Sequence, residues 1–169
     1  MDDPRICMDE RWLKRRKMDR KEIRLALPSK GRLSDDSLSL LARAGMEVYK
    51  PNPRQFQAVI PSLPEVTVLF QRAGDIAVSV HDGTVDFGIT GWDVVSEKGG
   101  TNGEILPLYK ALGFGSCSLN VIVPDDWVSV RTMSDLSEFQ GKLGRPLRVA
   151  TKFPNCTAKF FQNKGHSHS

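Results

Sequence analysis

Cysteine and histidine are scarce in this chain, and their scarcity removes several chemistries at the outset. Cys7, Cys117 and Cys156 are odd in number, far apart and without CxxC spacing, so neither a disulfide framework nor a zinc site is expected and the thiols read as reduced. His81, His166 and His168 give no HExxH pattern, and no structural metal is expected. No run approaches the roughly 20 apolar residues needed to span a bilayer. The amino-terminal segment lacks the apolar stretch of a signal peptide, and its five acids argue against a transit peptide. The expected location is therefore the cytoplasm, with no membrane contact. A Walker A loop and a GxGxxG fingerprint are missing as well. His81, among Ser79, Val80, Asp82 and Gly83, has no Ser or Cys motif beside it; it reads as a surface or helix-end histidine, not as part of a triad.

What the chain does contain is enough apolar sequence for a core. With 169 residues, 40% of them hydrophobic, one domain is the starting assumption. The net charge of +4 would suggest a nucleic-acid partner if it were spread over the surface. Residues 1–21 instead hold eight Lys/Arg against five Asp/Glu, leaving 16 against 15 for residues 22–169. The folded body is close to neutral, and no nucleic-acid partner is expected.

From residue 23 onward, short apolar runs alternate with amphipathic stretches, the pattern of a sheet with crossover helices. The fold class is α/β. Strands are expected over residues 23–27, 56–61, 66–71, 85–90, 104–109, 119–123 and 147–151, the second and third forming an antiparallel pair. Helices are expected after Ser34, read as an N-cap, to a stop at Gly45; over 74–81; from Gly91; over 132–140; and from Pro154 to about residue 165.

Three strand-to-helix turns are polar: Ser29-Lys30-Gly31-Arg32, Thr90-Gly91-Trp92-Asp93 and Thr151-Lys152-Phe153-Pro154-Asn155. Such turns line the crevice where open α/β sheets bind ligands. Free amides at a helix start attract anions, Gly lets a phosphate approach the backbone, and Lys30 and Arg32 add cationic groups suited to phosphate. Arg72 and Asp75 could join that crevice, with helix capping the favoured role for Asp75. Asp86 is expected to satisfy backbone donors near a strand start. Trp92 could fill core or border an adenine, and core is the favoured reading. Phe114 reads as packing.

At these same turns the sequence resembles ATP phosphoribosyltransferase, the enzyme of the first step of histidine biosynthesis. The resemblance runs through Leu25-Ala26-Leu27-Pro28 and Lys30-Gly31-Arg32-Leu33-Ser34, Arg72 with Gly74-Asp75-Ile76, and Asp82-Gly83 with the run from Val85 to Gly91 and Asp93-Val94. It continues through Leu112-Gly113-Phe114-Gly115, Cys117, Arg148 to Asn155 and Thr157. It implies a periplasmic-binding-protein-like mixed sheet with helices on both faces, in a unit of two α/β domains around a cleft. It also implies a displacement in which adenine N1 of ATP attacks the anomeric carbon of phosphoribosyl pyrophosphate and pyrophosphate leaves. Mg2+ would accompany that substrate instead of occupying a protein-held site. Lys30, Gly31, Arg32, Arg72, Thr90, Gly91, Asp93 and Lys152 are the expected substrate-binding residues, and no catalytic group is assigned.

The family holds phosphoribosyl pyrophosphate on an acidic strand end and a Thr/Ser-Gly-rich loop, and no such segment follows Thr151. The expected organisation is a disordered basic extension over 1–22, an α/β domain over 23–145, an incomplete second domain over 146–165 and a tail over 166–169. The expectation is of a truncated, inactive chain whose complete form is a homo-oligomer. The competing expectation is a non-catalytic module of the same fold that binds a nucleotide or another small anion.

Overall fold

The computed structural model describes residues 21–99 and 105–163. Residues 1–20 of the expected extension over 1–22, and the tail over 166–169, lie outside the described residues. The chain comprises two compact units, Met1–Gly115 and Ser116–Ser169.

The first unit is built on β1 (Ile23–Pro28), a strand paired on both sides. β3 (Leu63–Gln71) lies parallel to it with Leu25 opposite Val68, and β4 (Phe87–Gly88) lies parallel on the other side with Leu25 opposite Phe87. β2 (Gln57–Ile60) pairs antiparallel with β3, so the strand order is β2-β3-β1-β4. A strand flanked on both sides and covered on both faces has no place for water, which is why Leu25, Ala26, Leu27 and Pro28 are all apolar and buried. The expected hairpin is present with a tighter turn, at Pro61 and Ser62.

Side-chain alternation then sorts the core into two layers. Leu25 and Leu27 join Val68, Phe70 and Ile60 on one face, covered by Leu41 of α1 (Arg32–Arg43). Ala26 points the other way and packs on Ile76 of α2 (Ala73–His81) and on Val85. The sheet is thus mixed, with helices on both faces, as expected. α3 (Trp92–Lys98) follows β4. Gly45, at φ 77°, stops α1 in the left-handed conformation that glycine tolerates best. His81 is the last residue of α2, its Nδ1 2.8 Å from Asp82 Oδ1, a helix-end histidine as expected. Asp86 also takes its expected role, its Oδ2 accepting from the Arg24 amide at 2.8 Å.

Several sequence expectations need correction. α1 begins at Arg32, with Gly31 and not Ser34 as N-cap. Ser34 is buried within the first turn, its amide donating to the Gly31 carbonyl at 2.8 Å. The strand expected over 85–90 shrinks to two residues, and the described parts of 104–109, 119–123 and 147–151 form no strand. Strand composition alone does not make a strand, because each backbone polar group needs a ladder partner. Among the described residues no strand lies beside β4 on its outer side, and Leu108 and Ile122 stand 81% and 89% exposed.

In the second unit α4 (Met133–Leu143) packs Leu136 against Val130 and Leu147, with Trp127 and Phe139 rings 4.3 Å apart. α5 (Pro154–Asn163) begins on a proline, where the missing N–H costs nothing. α4 caps itself: the Asp135 amide donates to Thr132 Oγ1 at 3.2 Å, and the Thr132 amide donates to Asp135 Oδ2 at 2.8 Å. The Arg131 amide donates to the same carboxylate at 2.9 Å. These donors, Arg131 first, hold the Asp135 carboxyl below the usual carboxylate range. A depressed value means that this stabilisation is present above the unfolded carboxyl value and fades as pH falls through the folded one. Urea unfolding followed by tryptophan fluorescence is therefore expected to show Thr132→Ala less stable near neutral pH by about 1 kcal/mol. Asp135→Asn is expected to be less stable there too, with its gap from wild type closing in acid.

Candidate nucleotide-binding edge

Because β1, β3 and β4 run parallel, their carboxyl ends share one edge of the sheet, and the turns that leave them must gather there. The turn after β1 carries Lys30, Gly31 and Arg32; β3 leads directly into Arg72; the turn after β4 carries Thr90, Gly91 and Asp93. Seven of the eight residues singled out by sequence are thereby collected on one edge. Main-chain bonds hold the turns in place, with the Ser29 amide donating to the Gln71 carbonyl at 2.7 Å and the Ile89 amide to the Ala26 carbonyl at 3.0 Å. Thr90 Oγ1 donates to the Ala73 carbonyl at 2.7 Å, fastening the third turn to the start of α2.

The three helices that start on this edge share a feature. α1, α2 and α3 have Gly31, Arg72 and Gly91 as N-caps, and none makes a side-chain capping bond. A helix start leaves its first amides without intrahelical partners, together with the positive end of the macrodipole. α4, in the second unit, satisfies its own start. The contrast is between a self-capped start and three starts without side-chain caps. Asp75 sits in the first turn of α2 but makes no cap; its Oδ1 lies 4.0 Å from Lys98 Nζ.

Gly31 has φ 79° and ψ 177°, a region essentially reserved for glycine. A Cβ there would meet nothing within 4 Å, so the requirement is one of backbone conformation and not of space. At Gly91 a Cβ would meet Asp93 Oδ1, because the Asp93 carboxylate folds back over the turn. Lys30, Arg32 and Arg72 are exposed, whereas Thr90, Gly91 and Asp93 are half-buried. Positive charge therefore lies outermost and the acceptor lies within the turn.

Lys152 belongs to the second unit, its Nζ 4.9 Å from the Phe153 ring centroid, in a turn where the Phe153 amide donates to Thr151 Oγ1 at 3.0 Å. Two groups escaped the sequence reading. Lys98 Nζ donates to the Gly74 carbonyl at 2.8 Å, joining α3 to the start of α2. Gln71 Oε1, at the end of β3, is buried without a hydrogen-bond partner. Trp92 was expected in the core, yet it is 51% exposed, with Lys110 Nζ 5.2 Å from its ring centroid. Nothing in the local sequence signals the first two, since each depends on elements brought together by the fold. The exposure of Trp92 follows from its place as the first residue of α3, beyond the last strand residue and outside the sheet layers. Among the described residues no group of three His, Cys, Asp or Glu side chains could hold a metal ion, and no helix is long and apolar enough to cross a membrane.

Comparison with known proteins points in one direction. Residues 72–169 match the model of the HisG family, ATP phosphoribosyltransferase. The chain is 41% identical over 152 residues to ATP phosphoribosyltransferase 2, chloroplastic, of Arabidopsis thaliana, covering 88% of this chain and 37% of that protein. It is 40% identical over 147 residues to ATP phosphoribosyltransferase of Mesorhizobium japonicum, covering 84% of this chain and 63% of that protein. For the same enzyme of Gemmatimonas aurantiaca the identity is 43% over 143 residues, with 85% and 45% covered. The chain thus spans less than two thirds of these relatives. The ATP phosphoribosyl transferase (HisG:HisZ) complex of Thermotoga maritima is similar in fold, with a TM-score of 0.50 at 20% identity, covering 87% of this chain and 61% of that one.

Proposed function

Since this chain belongs to the ATP phosphoribosyltransferase family, we propose that it supplies the ATP-binding edge of an enzyme that condenses ATP with phosphoribosyl pyrophosphate. The observation that carries this reading is the set of three helix starts without side-chain caps on one sheet edge, beside Lys30, Arg32 and Arg72. In the proposed complex, first-turn amides of α1 and the Lys30 and Arg32 side chains hold the triphosphate. Arg72, leaving the neighbouring strand, reaches the same polyphosphate from the α2 side. Asp93 accepts from ribose hydroxyls. The hydroxyl hydrogen of Thr90 is already committed to the Ala73 carbonyl, so the part proposed for Thr90 is to keep the turns together.

The reaction forms a bond from adenine N1 to the anomeric carbon as the bond to pyrophosphate breaks, with positive charge developing on the ribosyl ring. Its needs are position and charge balance, which the residues on this edge can serve without a nucleophile. Mg2+ enters as the counter-ion of the phosphoribosyl pyrophosphate substrate. The complete enzyme acts in the cytoplasm as an oligomer. The test joins this chain to the remaining length of a relative and assays phosphoribosyl-ATP and pyrophosphate from the two substrates. Stoichiometric product is expected. A folded fusion that binds ATP or another anion and forms no product would favour the non-catalytic module instead.

A further inference from the structure

We propose that Trp92 is the stacking platform for the purine base, with Lys110 as the cation that the base displaces; this rests on the nucleotide reading of the sheet edge. The indole stands at the first position of α3, one residue past Gly91, so it projects from the same turn as Thr90 and Asp93. Half of its surface is open, although a large aromatic side chain in the first turn of a helix could have been buried against the sheet. Lys110 Nζ lies 5.2 Å from the ring centroid, within the range of a cation held by the electron-rich face.

The path of the chain around this pair links it to the phosphate-binding turn. Lys110 reaches the indole, and five residues later a Cβ on Gly115 would stand 3.0 Å from Leu33 Cδ1, in the first turn of α1. The stretch from Lys110 to Gly115 therefore runs between the first turn of α3 and the first turn of α1. Gly113 and Gly115, at φ 84° and 70°, give it the turns that residues with a Cβ rarely make. A nucleotide with its phosphates at Lys30 and Arg32 has this rim beside it, with the Trp92 face available to its base.

The exchange is favourable on general grounds. An ammonium over an exposed indole gains little, because water competes for the charge. A flat base covering the same face removes apolar surface from water and gains the stronger stacking interaction. The released Lys110 ammonium then stands near the polyphosphate and adds to its neutralisation. Stacking reads a π-face and not an edge, so Trp92 would hold a flat base and leave the choice of adenine to hydrogen bonds made elsewhere.

Calorimetric titration of the full chain with ATP and, separately, with inorganic tripolyphosphate tests the proposal. Trp92→Ala is expected to weaken ATP binding by about 10- to 100-fold and to leave tripolyphosphate binding unchanged, and Trp92→Phe to recover most of the loss. An unchanged ATP affinity in Trp92→Ala would overturn the stacking role while leaving the nucleotide reading intact. An equal loss for both ligands would overturn it too, since the indole would then support the turn and not the base. If the wild-type chain binds neither ligand, the nucleotide reading and this inference fall together.

Discussion

Replacing Lys30 and Arg32 together by alanine is expected to lower the affinity of the chain for ATP by about 100-fold or more, with its unfolding midpoint in place. Hydrogen bonds to charged groups contribute about 1.5–3 kcal/mol each, and each factor of ten in affinity corresponds to about 1.4 kcal/mol. Two such contacts would amount to about 100-fold at the low end of that range, the end appropriate to exposed side chains in screening solvent. Both side chains are exposed and neither belongs to the core, so the folded state has little to lose. Arg32→Lys separates shape from charge: it keeps the cation and loses the planar fork, and an intermediate affinity is expected. Titration at two salt concentrations adds a second reading, because the wild-type affinity should fall with salt more steeply than that of the double variant. Equal ATP affinity for wild type and double variant would remove the phosphate role from this edge.

Gly88→Ala is expected to destabilise the first unit by about 3 kcal/mol, at the upper end of what overpacking usually costs. Gly88 is the last residue of β4, paired with Ala26 of β1. A Cβ there would stand 2.5 Å from Ile76 Cγ2, 3.0 Å from the Ala26 carbonyl oxygen and 3.2 Å from Ala26 Cβ. The isoleucine could rotate, but the carbonyl and Cβ of a central strand cannot move without disturbing pairings on both sides. β4 holds the third turn against the first through only two paired residues. The same substitution should therefore loosen Thr90, Gly91 and Asp93 and weaken nucleotide binding along with stability. Thermal unfolding followed by circular dichroism measures the first effect, with a lowering of the midpoint by roughly 10 °C or more expected for a unit of this size. A midpoint equal to wild type would mean that β4 does not pack against Ala26 and Ile76 in solution.

Residues of the sheet edge and its surroundings illustrate different degrees of legibility. Lys30, Gly31 and Arg32 stand between a short apolar run and an amphipathic stretch, so a phosphate-suited turn could be read from order and residue type alone. Ser34 misled the reading of the helix start, because a serine before a helical pattern is a good cap by type. Gly31 took that place through a backbone conformation that sequence does not display. Asp86 was read correctly as a partner of backbone donors, since a carboxylate at a strand start is surrounded by amides; that its donor is Arg24, 62 residues away, came only from the fold. Lys98, Gln71 and Lys110 were invisible for the same reason.

What the sequence determined by itself is the alternation of apolar and polar residues, and with it the α/β class, most of the helices and the turns bearing Lys30, Arg32 and Gly91. These are local matters, set by side-chain periodicity and by glycine and charge at particular positions. Which apolar runs became strands was decided by tertiary structure, because a ladder needs a neighbour. Leu25 to Leu27 found one on each side, whereas the run from Leu119 to Val123 found none among the described residues. Tertiary structure also decided that three turns distant in the chain meet on one edge, since the parallel direction of β1, β3 and β4 is a property of the sheet and not of any of its strands.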